Sequence, residues 1–202
     1  MNRWKISSIV LGLILMFFCF CTLNQKETIR SWQREYYKSI CQMETLMVHK
    51  FNFELNYMTT GLYAKDVICQ TKEQQFLLSE IVGNNSVLVY RYSDINCNTC
   101  IEAEIEVLQN IFKVNFKSIL ILCSYNIDRD FYMFKKINKI KFPIYKIEYN
   151  SFDWLPEKDK NPYCFILHPD LKISNIYIPD KSFPIMNEMY LNAVKRLICN
   201  PQ

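Results

Sequence analysis

Glycine is scarce in this 202-residue chain: Gly12, Gly61 and Gly83 are the only three. That excludes a glycine-rich phosphate cradle of the P-loop or dinucleotide type, which needs several glycines in one turn. Histidine is scarcer, with only His49 and His168, so a histidine-rich metal centre is excluded as well. The formal charge is +4, from 24 basic and 20 acidic side chains, and so small a surplus predicts no nucleic-acid partner. Half of the residues are hydrophobic and 15% are aromatic. Those fractions supply a packed core and argue against wholesale disorder.

What is present begins with an apolar leader. Residues 1–23 hold Arg3 and Lys5, then Ile6 to Leu23 without a charge. Eighteen helical residues span about 27 Å, near the lower limit for crossing a bilayer. A positive start before an apolar run reads as a signal peptide or an uncleaved signal anchor. The positive-inside rule keeps Lys5 cytoplasmic and sends the remainder across the membrane. Cys21, near the end of the run, leaves open a third reading in which that cysteine is lipidated.

Seven of the nine cysteines lie beyond the leader: Cys41, Cys69, Cys97, Cys100, Cys123, Cys164 and Cys199. In an oxidising compartment an odd number leaves at least one thiol unpaired. Cys123 and Cys164 sit within apolar runs and read as small buried hydrophobes. Only Cys97 and Cys100 have a spacing with chemical meaning.

The periodicity then lays out the fold. Trp32, Tyr36, Ile40, Met43 and Met47 predict an amphipathic helix over about 28–49, with His49 at its end. The alternation Phe51, Phe53, Leu55, Tyr57 predicts a half-buried strand. Residues 66–70 suit a short strand, and Gln74 to Val82 a short helix closed by Gly83. Ser86 to Tyr92 and Ser118 to Cys123 are nearly continuous apolar runs, as buried central strands should be. Between them, Ile101, Ile105, Leu108, Ile111 and Phe112 mark a helix face. Asp128 to Asn138 is a second helix, with Phe131, Phe134 and Ile137 inward, and Ile144 to Ile147 a weaker strand. Residues 150–161 read as a polar loop carrying Trp154. Tyr163 to Leu167 and Ile173 to Ile178 form a hairpin around His168, and Asn187 to Ile198 closes the chain as a helix. Alternating strands and helices followed by a hairpin imply an α/β fold whose parallel sheet ends mixed.

Cys97-Asn98-Thr99-Cys100 falls between the first core strand and the helix after it. Two thiols at this spacing close a small disulfide, and the first lies where helix N–H groups favour a thiolate. Such a thiolate attacks a partner disulfide, and the second thiol resolves the mixed disulfide. Zinc sites share the spacing but want a second ligand pair, which the sequence does not offer.

These features resemble the thioredoxin superfamily, in particular an exported, membrane-tethered thioredoxin-like protein of the bacterial cell envelope. The similarity spans roughly residues 60–199 and rests on the strand–Cys97-Asn98-Thr99-Cys100–helix unit and on Asn161-Pro162 before the strand at Tyr163. It implies a thioredoxin-like three-layer fold in residues 59–202, preceded by a 24–58 helix-and-strand extension. It further implies Cys97 as attacking and Cys100 as resolving cysteine, with no cofactor beyond that redox-active disulfide. Pro162 would be cis and, with Asn161, would shape the groove for an extended partner peptide. The expected partners are exported proteins with thiols or disulfides, an unidentified redox partner, and the membrane through residues 6–23. The expected location is the bacterial envelope, with the domain on the exported, periplasmic side.

Two departures from the pattern shape further expectations. Asn96 stands where the family usually has an aromatic residue. Arg91 occupies the offset of the family's buried acid, and a charge there would favour the thiolate and a more oxidising couple. Asp94 and Glu102 are then the nearest candidates to relay protons. His168 reads as a turn residue, or alternatively as a third ligand in a copper-carrier site with the two cysteines. A thioredoxin-fold binding or sensing module, with an idle dithiol, is the other alternative.

Overall fold

A computed structural model of the chain describes residues 3–58, 61–158 and 160–199. The chain divides into two compact units, residues 1–49 and 50–202. Helix α1, Arg3–Met58, runs through the whole N-terminal region. The strand expected at Phe51 to Tyr57 is therefore helix. The chain offers no glycine or proline stop between Gly12 and Gly61, and continuing a helix costs far less than starting a strand. Trp32, Tyr36, Met43 and Met47 are exposed on α1. Among the described residues no helix is long and apolar enough to cross a membrane. The side chains of residues 6–14, half of the apolar run behind the anchor reading, lie outside the described residues.

The rest is one seven-stranded mixed sheet with helices on its faces, the expected α/β class. Its strands are β1 (Ile68–Gln70), β2 (Gln75–Leu77), β3 (Val87–Ser93), β4 (Ile119–Ser124), β5 (Ile144–Lys146), β6 (Tyr163–Leu167) and β7 (Ile173–Tyr177), in the order β2-β1-β5-β4-β3-β6-β7. β3 pairs parallel with β4 and antiparallel with β6, and β4 pairs parallel with β5. Parallel neighbours need crossovers, supplied by α3 (Asn98–Ile111) and α4 (Asp128–Ile137). Helices α2 (Leu78–Val82), α5 (Leu155–Lys158) and α6 (Pro184–Cys199) complete the chain. The 74–82 segment thus splits into β2 and α2, and the loop expected over 150–161 contains α5.

Every residue of β3 and β4 is buried, which is why both read as apolar runs. Alternation divides them between two cores. Leu88, Tyr90 and Tyr92 face Ile101, Ile105 and Leu108 of α3, Phe131 and Phe134 of α4, and Leu191 and Val194 of α6. Val87 and Val89 pack on the opposite face with Leu78, Phe152, Trp154, Tyr163 and Phe165. Ile137, expected inward, is 65% exposed at the last residue of α4, while Phe131 and Phe134 face the core. Trp154 is a core residue, stacked on Phe152 at 4.6 Å between ring centres.

Candidate active site

The loops leaving the C-terminal ends of β3 and β4 meet, with Asp94 N–H donating to the Ser124 carbonyl at 2.9 Å. At such an edge of a parallel sheet, helix N-termini and loops converge. Cys97 is the N-cap of α3, with extended backbone, and its carbonyl accepts from the N–H groups of Cys100 and Ile101 at 3.0 and 3.1 Å. Cys97 is exposed and Cys100 half-buried one turn on, and both are free thiols.

Their electrostatics differ in sign. The Cys100 thiol, the backbone N–H groups of Cys100 and Thr99, and Lys181 hold Cys97 below the ordinary thiol range. Cys100 is pushed the other way, first by the neighbouring Cys97 sulfur, then by burial and by the Glu104 carboxylate. The pair can therefore hold one thiolate, on the outer sulfur, and one thiol. That is what nucleophilic attack followed by resolution requires.

Arg91 does not lie beneath this pair. Its side chain lies on the sheet face opposite α3, 3% exposed, and its guanidinium forks onto Glu157 of α5 at 2.7 and 3.1 Å. It also donates to Ser124 Oγ and to the Tyr92 carbonyl. Tyr163 Oη donates to the same Glu157 carboxylate at 2.8 Å and accepts from Trp154 Nε1 at 2.9 Å. Period two explains the misplacement: Arg91 sits one residue from Tyr90 and Tyr92, which face α3. A buried guanidinium also needs a carboxylate partner, and Glu157 provides one.

The Arg91–Glu157 pair anchors the loop that carries Lys160, Asn161 and Pro162. Asn96 joins that loop to the dithiol. Its Oδ1 accepts from Ser93 N–H at 2.8 Å, and its Nδ2 donates to the Lys160 carbonyl at 2.8 Å. Asn96, Tyr149, Lys160, Asn161 and the Arg91–Glu157 pair line a cavity of about 240 Å³. Among the described residues no peptide bond is cis, so Asn161–Pro162 is trans against expectation. Trans is favoured by about 0.5–1 kcal/mol for an X–Pro bond, and here the chain turns into β6 through a left-handed Lys160, φ 56°.

The proton-relay candidates also change. Asp94 accepts from Tyr149 Oη and Asn126 N–H, and Glu102 is exposed on the outer face of α3. The acid that acts on Cys100 is Glu104, one helical turn beyond it. Burial raises the Glu104 carboxyl above its usual range, and Asn187 Nδ2 donates to it at 3.1 Å. Sequence reasoning missed Glu104, although its i,i+4 spacing from Cys100 was visible.

His168 cannot join the cysteines. Leu167 pairs with Val87 at the start of β3, whereas the dithiol follows the end of β3. Six strand steps of about 3.3 Å separate those ends. The imidazole is held instead by Ser86 Oγ and Ser174 Oγ, both at 2.9 Å. Among the described residues no three His, Cys, Asp or Glu side chains cluster to hold a metal ion.

No protein-family pattern and no curated protein matches the chain. Solved structures do. A thiol:disulfide interchange protein from Bacteroides sp. is 16% identical with a TM-score of 0.53, over 71% of this chain and 92% of that one. The thioredoxin domain of a thiol-disulfide oxidoreductase from Bacteroides vulgatus is 16% identical with a TM-score of 0.50, over 69% and 97%. A protein described as a putative protein disulfide isomerase from Bacteroides thetaiotaomicron is 13% identical with a TM-score of 0.50, over 69% and 90%. At these identities the likeness is one of fold: the sheet and its helices form a thioredoxin-like domain.

Proposed function

We propose that this chain is a thiol–disulfide oxidoreductase acting through Cys97 and Cys100. The observation that carries the reading is the placement of an exposed Cys97 at the N-cap of α3 with a half-buried Cys100 one turn on, and the opposite displacement of the two thiols agrees with it. Cys97 thiolate attacks one sulfur of a substrate disulfide and releases the other as a thiolate. Cys100 then attacks Cys97, freeing the bound sulfur and leaving a Cys97–Cys100 disulfide. The solved structures sharing the fold include a thiol:disulfide interchange protein and a thiol-disulfide oxidoreductase, which supports this chemistry. Asn161 and Pro162, on the loop tied to Asn96, are the proposed substrate-peptide contacts.

The substrates are exported proteins with thiols or disulfides, and a separate redox partner recycles the dithiol. We place the domain outside the cytoplasmic membrane of a bacterial cell, tethered through residues 6–23 or through a lipid on Cys21. The charge-free run after Arg3 and Lys5 supports that placement.

The test is the full-length Cys100→Ser chain, which should accumulate mixed disulfides through Cys97 with envelope proteins. In glutathione buffers the wild-type couple should fall between about −120 and −270 mV, the span of exchange enzymes. A couple below about −300 mV with no trapped adduct would mark a structural bridge and overturn the reading. A membrane-impermeant maleimide should label Cys97 in intact cells, and failure to label would refute the placement.

A further inference from the structure

The small net charge of +4 conceals a segregation along the strands. The turns that feed the starts of β3, β4, β5 and β7 lie at the pole opposite the dithiol, about 20 Å away along β3. Those turns, residues 83–86, 112–118, 138–143 and 168–172, carry Lys113, Lys117, Lys139, Lys141 and Lys172 against a single carboxylate, Asp170. Lys136 and Arg196, in the last turns of α4 and α6, add to the same pole. All seven cations are exposed, and among the described residues none of them forms an ion pair. Acids gather at the other end. Asp94, Asp128, Glu148, Asp153, Glu157 and Asp180 follow the C-terminal ends of β3, β4, β5 and β7. Lys146 and Lys158 are already paired there, with Asp128 and Asp153.

Apolar side chains stand among the free cations. Val114 is 83% exposed and Leu197 57%, and the exposed Ile137 falls between Lys136 and Lys139. A lysine beside an exposed apolar side chain suits a bilayer surface, where headgroup phosphates take the ammonium and the acyl boundary takes the methyl groups. The chain also enters the domain at this pole. Ala64 N–H donates to the Leu171 carbonyl at 2.8 Å, Ile173 N–H donates to the Leu62 carbonyl at 3.0 Å, and the exposed Tyr63 bridges Lys172. Whatever holds the chain upstream of residue 61 to a membrane therefore pulls on the basic end of the domain.

We propose that this basic pole docks onto an anionic lipid surface, so that the dithiol faces away from the membrane and toward its substrates. The inference rests on the proposed membrane placement and is independent of the disulfide chemistry. Headgroup phosphates pair with the seven cations, an attraction that fades within a Debye length of about 8 Å. Tyr63, Val114, Ile137 and Leu197 sit at the boundary between headgroups and acyl chains. The acidic pole is repelled by the same surface, which sets the orientation.

The experiment reconstitutes the full-length chain in nanodiscs of phosphatidylcholine, with or without phosphatidylglycerol as the anionic lipid. Sulfosuccinimidyl acetate is added briefly, and mass spectrometry reads acetylation lysine by lysine. With the anionic lipid, Lys113, Lys117, Lys139 and Lys141 should react about fivefold more slowly. Lys158 and Lys181, at the dithiol pole, should react equally in both discs. Salt at about 0.5 M should abolish the protection. Lys136→Glu/Lys139→Glu/Lys141→Glu should lose the protection at Lys113 and Lys117, while maleimide labelling of Cys97 stays at the wild-type rate and reports an intact fold. Val114→Ser/Ile137→Ser should weaken the protection without changing any charge. Full protection in that apolar variant, with loss in the charge variant, would reduce the face to a general polyanion site and overturn its assignment to a lipid surface. A wild-type chain that co-elutes with both discs and is acetylated equally in them would overturn the docking and leave the tether standing. A chain that co-elutes with neither would overturn the membrane placement and the docking together.

Discussion

Asn96 Nδ2 donates to the Lys160 carbonyl across 2.8 Å, joining the residue before the dithiol to the loop before β6, 64 positions away in sequence. The same side chain accepts from the backbone and hydroxyl of Ser93 at the end of β3. One amide thereby holds both walls of the cavity beside Cys97.

Asn96→Ala should lower unfolding stability by about 1–2 kcal/mol, since Ser93 N–H loses its acceptor near the sheet edge. Asn96→Asp keeps that acceptor and loses only the donor to Lys160, so its loss should be smaller. Urea denaturation of the two variants separates the contributions, and equal losses would show that the Ser93 contact contributes nothing beyond the bridge to Lys160.

Glu157→Ala should cost about 3–5 kcal/mol, because it strands the Arg91 guanidinium at 3% exposure without its carboxylate. Replacing both residues by apolar ones of similar size should recover much of that loss. In the double variant the Cys97 thiolate titration, followed at 240 nm, should match wild type. A substantial rise of the Cys97 pKa would return Arg91 to the role first expected of it.

Iodoacetamide at neutral pH should label Cys97 well before Cys100, because the rate follows thiolate fraction. Cys69 and Cys123 should resist labelling in the folded chain, as burial pushes both thiols up to about 12. Peptide mapping after short exposures reads the order directly.

Glu104 couples stability to pH. Burial holds its carboxyl above the ordinary value of 4.5, so between 4.5 and its folded-state pKa the native chain binds a proton that the unfolded chain has lost. The stabilisation is complete below the unfolded value and disappears as pH rises through the folded one. Thermal midpoints of wild type should therefore fall relative to those of Glu104→Gln on raising pH from 4.5. Parallel curves would remove this linkage.

Much of the framework was legible in the chain. β3, β4, β6 and β7 each fall within a residue of where the apolar runs put them, since burial on both faces leaves a composition that little else explains. Cys97 and Cys100 stand at the strand-to-helix junction because the polar break at Ser93–Asn96 ends one periodicity and Ile101 and Ile105 begin another. The strand read at Phe51–Tyr57 failed because seven alternating residues fit either period when no stop residue separates them from a helix already formed. On the last turn of α6 spacing alone fits either Leu197 or Ile198 to the inner face, and packing settles it: Leu197 is exposed, and Ile198 lies against the core.

The sequence by itself determined the α/β order, the buried strands and a dithiol on the first turn of a helix, all local matters of period and spacing. Tertiary structure decided what surrounds that dithiol. It carried Arg91 to the far face and matched it with Glu157, set Glu104 among α6 residues, turned Asn161–Pro162 into β6 as a trans peptide, and put His168 at the other end of β3. A side chain's charge state depends on what burial removes and which partner arrives, and those partners come from as far as 83 residues away.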